Sequence, residues 1–211
     1  MTLNILDTAK NLSGKDTNII INRYDEGLSW IKPYLDCCVI YNKGEDNLSY
    51  PFIRLPNIGL EHHSWVYHIV NNYDSLPNYL IFLQGSPHYH FIGNVERFLD
   101  CFLDQEKRKK IQVEDFDYIP LTDWYTTENV NETELVETYV ELFEKPPKFE
   151  KVEYATCGQF CISSERVRYY PKSFYEKYLK IFERKNNIGY AYTAERMWSI
   201  LYSQKYLNED V

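Results

Sequence analysis

From Gln84 the chain reads Gln84-Gly85-Ser86-Pro87-His88-Tyr89-His90, a run rich in side chains that bind ligands or carry protons. Gln84 and Ser86 offer neutral donors and acceptors suited to hydroxyls and phosphates. His88 and His90 could share one side of an extended segment, and neutral imidazoles bind metals. A second group lies near the C-terminus, where Gly158-Gln159-Phe160 precedes Glu195-Arg196-Met197-Trp198. Glu195 and Trp198 are three apart and share a helical face. A carboxylate beside an aromatic platform would hold a sugar hydroxyl and its ring. The same residues also fit a Glu–Arg surface pair beside a core Trp. Asp115-Phe116-Asp117 has the spacing of a D-x-D motif, in which a strand end presents carboxylate oxygens to a hard cation. No apolar strand precedes it, so two solvated carboxylates are the other outcome.

The remaining histidines are His62-His63 and His68. Adjacent histidines point to different sides of a helix, and all three read as hydrogen-bonded structural residues. Among common signatures, the chain has no Walker loop, no G-x-G-x-x-G, no G-x-S-x-G and no H-E-x-x-H. Common nucleotide hydrolases, dinucleotide oxidoreductases, α/β-hydrolases and zincin proteases are set aside on that ground.

Strand ends position the polar clusters. The apolar run at 79–83 stops at turn residues, the pattern of a strand buried in an α/β sheet. Strands are also expected over 18–22, 37–41, 52–55 and 158–163. Helices are expected over 28–34, 60–72, 95–103, 132–143, 172–184 and 193–203. The stripe Val95, Phe98, Leu99, Phe102 and Leu103 is the clearest helical signal. Strands alternating with helices in the first half indicate a largely parallel sheet, with an antiparallel strand joining from the second half. In a parallel sheet the segments after the first four strands converge on one edge, where ligands bind. Those segments carry Arg23 and Tyr24, then Tyr41 and Lys43, then Asn57, Gly59 and Glu61, then Gln84, Gly85 and Ser86. Arg23 and Lys43 could meet a diphosphate there, and Tyr24 or Tyr41 could stack on a base.

Bulk properties narrow the field. A chain of 211 residues suits one domain with a substantial core. Aromatic content of 17% argues against disorder. A net charge of -8 argues against a nucleic-acid backbone as partner. The basic run Lys107-Arg108-Lys109-Lys110 reads as the solvated end of a helix, where cations suit the helix dipole. Five cysteines without a C-x-x-C repeat read as reduced thiols in a cytoplasmic protein, with Cys38 and Cys161 buried. No signal peptide and no membrane span is expected.

The segments NRYDEGLSWI, VIYNKG, LPNIGLEHHSWVYHIVNNYDSLPNYLIFLQGSP, GQFCISSERV and AERMWSILY together resemble a family of fungi, bacteria and large DNA viruses. That family is catalogued mainly as a domain of unknown function and is similar to GT-A-fold glycosyltransferases, among them a viral enzyme implicated in glycosylating a capsid protein. The resemblance spans roughly residues 18–204. It implies a single GT-A-like α/β domain over 1–211, with a nucleotide-binding half at 17–92 and an acceptor-binding half at 93–211. It implies transfer of a sugar from a nucleotide-diphosphate donor, a UDP-sugar, to a glycan or protein-linked acceptor, in the cytoplasm (the host's if viral). Arg23, Tyr24 and Tyr41 would line the nucleotide pocket, and Asn57, Gly59 and Glu61 would approach the ribose or diphosphate. Gln159 and Glu195 would face the transferred sugar and the acceptor, Glu195 as base. Gln84-Gly85-Ser86 stands where the family pattern has D-x-D but carries no carboxylate. The divalent cation, manganese or magnesium, is therefore left to the donor's own phosphates or to His88 and His90. Two alternatives stay open: a non-catalytic carbohydrate- or nucleotide-binding module on a degenerate transferase fold, and a metal-dependent phosphodiesterase using the histidines.

Overall fold

Parallel strands buried almost throughout build the sheet on which the polar clusters sit. The computed structural model describes residues 15–110, 117–131, 133–185 and 188–207. The strands are β1 (Thr17–Arg23), β2 (Cys38–Asn42), β3 (Ile53–Arg54), β4 (Tyr79–Gln84), β5 (Tyr118–Pro120), β6 (Tyr125–Asn129), β7 (Lys151–Ala155) and β8 (Phe160–Ser163). The helices are α1 (Leu60–Asn72), α2 (Val95–Phe102), α3 (Gln105–Lys110), α4 (Thr133–Phe143), α5 (Ser164–Val167), α6 (Lys172–Arg184), α7 (Ile188–Tyr202) and α8 (Gln204–Leu207). Strand order in the main sheet is β3-β2-β1-β4-β8-β5, and β6 and β7 form a separate two-stranded sheet. β1, β2, β3 and β4 pair in parallel. β8 runs antiparallel to both β4 and β5. The α/β class, the parallel first half and the antiparallel addition are all as the residue pattern indicates.

Both faces of the sheet are covered, so its inner strands are apolar on both sides. Ile20, Val39, Tyr41, Leu80, Phe82 and Phe160 face a core shared with α1, α4, α6 and α7. Ile19, Ile21, Ile40, Ile81, Leu83 and Cys161 face the other core, with Leu99 and Phe102 of α2. The period of two along each strand sends neighbours to opposite faces.

Several local features differ from the sequence expectation. The segment expected as a helix at 28–34 is a 3-10 helix over Ser29–Cys37, with Pro33 inside it. Pro33 supplies no N–H, which disfavours a regular α-helix there. Arg108 is buried rather than solvated, ion-paired with Asp16 and lying 4.6 Å over the Tyr79 ring centroid. Cys161 is buried as expected, Cys38 only half-buried, and all five thiols are free. Among the described residues no helix is long and apolar enough to cross a membrane.

Candidate functional site

Parallel pairing places the ends of β1, β2 and β4 together, with Asn22 opposite Gln84 and Arg23 opposite Asn42. Because β8 is antiparallel, it begins at this same edge, with Phe160 opposite Phe82. Gln159 therefore lies against the exit of β4. The backbone N–H of Gln84 donates to Gln159 Oε1 at 3.2 Å, and Gln159 Nε2 donates to the Pro87 carbonyl at 3.3 Å. Gln84 Nε2 donates to Glu61 Oε1 at 2.8 Å, which ties the first turn of α1 to the same spot.

A left-handed turn brings in the second carboxylate. Cys157 has φ 73° and Gly158 has φ 59°. Glycine suits this conformation, and a side chain at Gly158 also has no room. A Cβ there would lie 2.5 Å from His62 Cε1 and 3.2 Å from Glu61 Oε1. The turn aims the Cys157 N–H at Glu195, which accepts it through Oε1 at 3.0 Å. Burial pushes the Glu195 carboxyl up to about 7, and the nearby Glu61 charge adds to the rise, while the Cys157 N–H opposes it. Cys157 is raised by burial and by the same two carboxylates. Lys43 is buried as well, donating to the carbonyls of Ile58, at 2.6 Å, and Leu60. Burial pushes its ammonium down to about 7, with Glu61 pulling it back up.

His62 is locked by the core beneath. Trp198 Nε1 donates to His62 Nδ1 at 2.9 Å. Indole N–H only donates, so Nδ1 accepts and the ring proton of the neutral imidazole sits on Nε2. That N–H has no hydrogen-bond partner and lies 3.8 Å from Glu61 Oε1. Burial lowers His62, which keeps the ring neutral. The edge thus presents two carboxyls, two amides and one unpaired imidazole N–H. A carboxyl titrating near neutrality beside a second one can take up or release a proton at working pH.

The structure brings Glu61, Gln84, Gln159 and Glu195 together and sends other candidates elsewhere. Tyr41 is fully buried, its hydroxyl 3.0 Å from His68 Nδ1, so it has no open face on which a base could stack. Arg23 is buried and braces the loops, donating to the carbonyls of Glu26 and Glu45 and to the side chains of Asn42 and Asn47. Tyr24 remains 49% exposed at the edge, and Asn57 and Ser86 are exposed too. Gly59 opens α1 at φ 58°, and a Cβ there would meet Phe182 Cδ1 at 2.6 Å, so its role is close packing. Trp198 is 1% exposed and stacked on Tyr202, so it belongs to the core and offers no platform to a sugar. Arg196 pairs with Glu128.

The two metal candidates diverge. His88 Nε2 is 2.9 Å from Glu96 Oε1, whereas the His90 ring meets Trp124 edge-on at 5.0 Å. Among the described residues no group of three or more His, Cys, Asp or Glu is placed to hold a metal ion. A carboxylate from the segment after β1 also reaches the exit of β4. Glu26, from the loop after β1, lies where a Cβ on Gly85 would be 2.8 Å from its Oε2. It also accepts the Tyr24 N–H at 2.6 Å. The segments after β1 and β4 are expected to converge in a parallel sheet, and the β1–β4 pairing brings Glu26 to Gly85. Of the D-x-D candidate, Asp115 and Phe116 lie outside the described residues. Asp117 is at the opposite edge, its carbonyl bonded to the N–H of Ser163, which pairs with the first residue of β4. It is ion-paired with Arg166.

A family model described as protein of unknown function (DUF3431) matches residues 99–209, just over half of the chain. No curated protein matches the chain, and no solved structure does.

Proposed function

The chain belongs to this family of proteins of unknown function (DUF3431), so its chemistry rests on its own residues, and we propose that it is a glycosyltransferase acting on a nucleotide-diphosphate sugar of the UDP-sugar type. The observation that carries this is the meeting of Glu195, titrating near 7, with Glu61 at the carboxyl edge of a parallel sheet. The order β3-β2-β1-β4 winds outward in opposite directions from β1 and β4. Ligands bind in the crevice at such a switch point, which here lies between Arg23-Tyr24 and Gln84-Gly85-Ser86. This topology is compatible with the nucleotide-binding half of a GT-A fold.

In the proposed reaction an acceptor hydroxyl attacks the anomeric carbon of the donor sugar. Glu195 takes the hydroxyl proton as the new C–O bond forms. The bond from the anomeric carbon to the phosphate oxygen breaks, and the nucleoside diphosphate leaves with that electron pair. Glu61, with Gln84 and Gln159, orients sugar hydroxyls. Among the described residues no group of His, Cys, Asp or Glu side chains is placed to cage a cation. A second reading, a non-catalytic nucleotide- or carbohydrate-binding module, is favoured by the engagement of both nearby cations. Arg23 braces loops and Lys43 is held by two carbonyls, which leaves the charge of a departing diphosphate without an evident counter-charge.

Calorimetric titration with UDP, GDP, CDP and their sugars, with and without manganese, tests the assignment. A ligand at about 100 times its dissociation constant stabilises the fold by roughly 2.7 kcal/mol, so the melting temperature must rise with it. Binding of one nucleoside diphosphate, with slow release of that diphosphate from its sugar, is the expected result. Failure of all of them to bind at millimolar concentration contradicts it.

A further inference from the structure

An exposed tryptophan is tied through the backbone to the segment that holds Glu195. Trp124 is 54% exposed, and Tyr89 and Ile92 are exposed with it. Trp124 is firmly anchored. Its carbonyl accepts the Thr156 N–H at 3.0 Å, and its own N–H donates to Thr122 Oγ1 at 3.1 Å. The edge-on contact with His90 fixes its ring. Thr156 is followed by Cys157, whose N–H holds Glu195. The neighbouring backbone is tied in as well, with Ile92 N–H bonded to the Leu121 carbonyl and Leu121 N–H to that of Gln159. Trp124 thus stands over the junction of two segments, 84–90 and 156–159, that carry the candidate site.

We propose that Trp124 is the acceptor platform, on which a pyranose ring of a glycan acceptor stacks. This rests on the glycosyltransferase reading and names the surface that would deliver the hydroxyl to Glu195. A large aromatic ring left in water by a well-ordered backbone has apolar area to bury. One face of a pyranose is a patch of C–H bonds while its rim is hydroxyl, so it can cover the indole and still meet the polar groups of the edge. Trp198, three residues from Glu195, cannot serve because its ring is in the core. The role passes to Trp124, 71 residues before Glu195 in sequence, reached through the backbone pairing of Trp124 with Thr156.

Saturation-transfer NMR with maltotriose, cellotriose, chitotriose and mannotriose at millimolar concentration tests this, on the intact protein and on Trp124→Ala and Trp124→Phe. At least one sugar should show transfer to its ring C–H protons. Binding should weaken roughly tenfold in the alanine variant, as expected for loss of an aromatic stack, and recover in part with phenylalanine. UDP affinity, measured in parallel, should be the same in all three proteins. Absence of transfer to every sugar overturns the platform, as does equal transfer in Trp124→Ala. Nucleotide binding without sugar contact defeats the platform alone. Sugar contact through Trp124 without binding of any nucleoside diphosphate defeats the transferase reading and leaves a carbohydrate-binding surface.

Discussion

Glu195 is where residue-level chemistry is most testable. Its carboxyl titrates near 4.5 when unperturbed and near 7 in the folded protein. A raised folded value means that its contribution to stability is complete below pH 4.5 and is lost as pH rises through 7. Glu195→Gln keeps an oxygen for the Cys157 N–H and has no proton to lose. The variant should therefore gain on the wild type between pH 4.5 and 7 and hold that gain above. The expected gain at pH 8 is on the order of 1–3 kcal/mol, since one pKa unit corresponds to about 1.4 kcal/mol. Urea denaturation at pH 5 and pH 8 measures it, and an equal difference at both pH values would show that burial does not perturb this carboxyl. Gly158 is the other sensitive residue. Gly158→Ala forces a Cβ against His62 at a left-handed φ. A loss of about 1–3 kcal/mol is expected, and an unchanged urea midpoint would mean that the turn relaxes freely.

At the scale of elements, α1 and α7 meet through the bond from Trp198 to His62. Trp198→Phe removes the donor and strands His62 Nδ1 in the core, at a cost of about 1–3 kcal/mol. It should also free the imidazole proton to exchange between the two ring nitrogens. Nitrogen-15 NMR of the histidines reads this directly: a fixed Nε2–H tautomer in the wild type and a mixture in the variant. A mixture already present in the wild type would remove the basis for placing an N–H toward Glu61. The bounds of α1 and α6 were legible in the sequence, as were β1, β2 and β4, because long periodic stripes and short apolar runs both register strongly. β5, β6 and β7 were not. β5 is three residues ending in proline, and the β6 sequence Tyr-Thr-Thr-Glu-Asn is largely polar on a half-exposed sheet. Glu195 was singled out by its residue type, with Trp198 expected beside it as a platform, and Trp198 is in the core. The spacing of three puts Glu195 and Trp198 on one stripe of α7, yet that helix is buried on most sides, so sharing a face with Glu195 did not bring Trp198 to the surface.

Across the whole molecule, strands from both halves of the chain share one sheet, so the candidate site exists only when the two halves are folded together. Gln84 and Glu61 come from the first half, and Gln159 and Glu195 from the second. Side chains from both halves of the chain therefore face one sheet edge. The family match lies almost wholly in the second half and carries no activity with it, so the assignment depends on chemistry at this edge. The most direct test is release of nucleoside diphosphate from a panel of UDP-, GDP- and CDP-sugars by wild type and Glu195→Gln. A positioned base contributes about 10²–10⁴-fold in rate. The account predicts release with one donor, faster when an acceptor sugar is added, and a loss of that order in the variant with nucleotide affinity unchanged. Turnover by Glu195→Gln at the wild-type rate, or no release from any donor by the wild type, would contradict it.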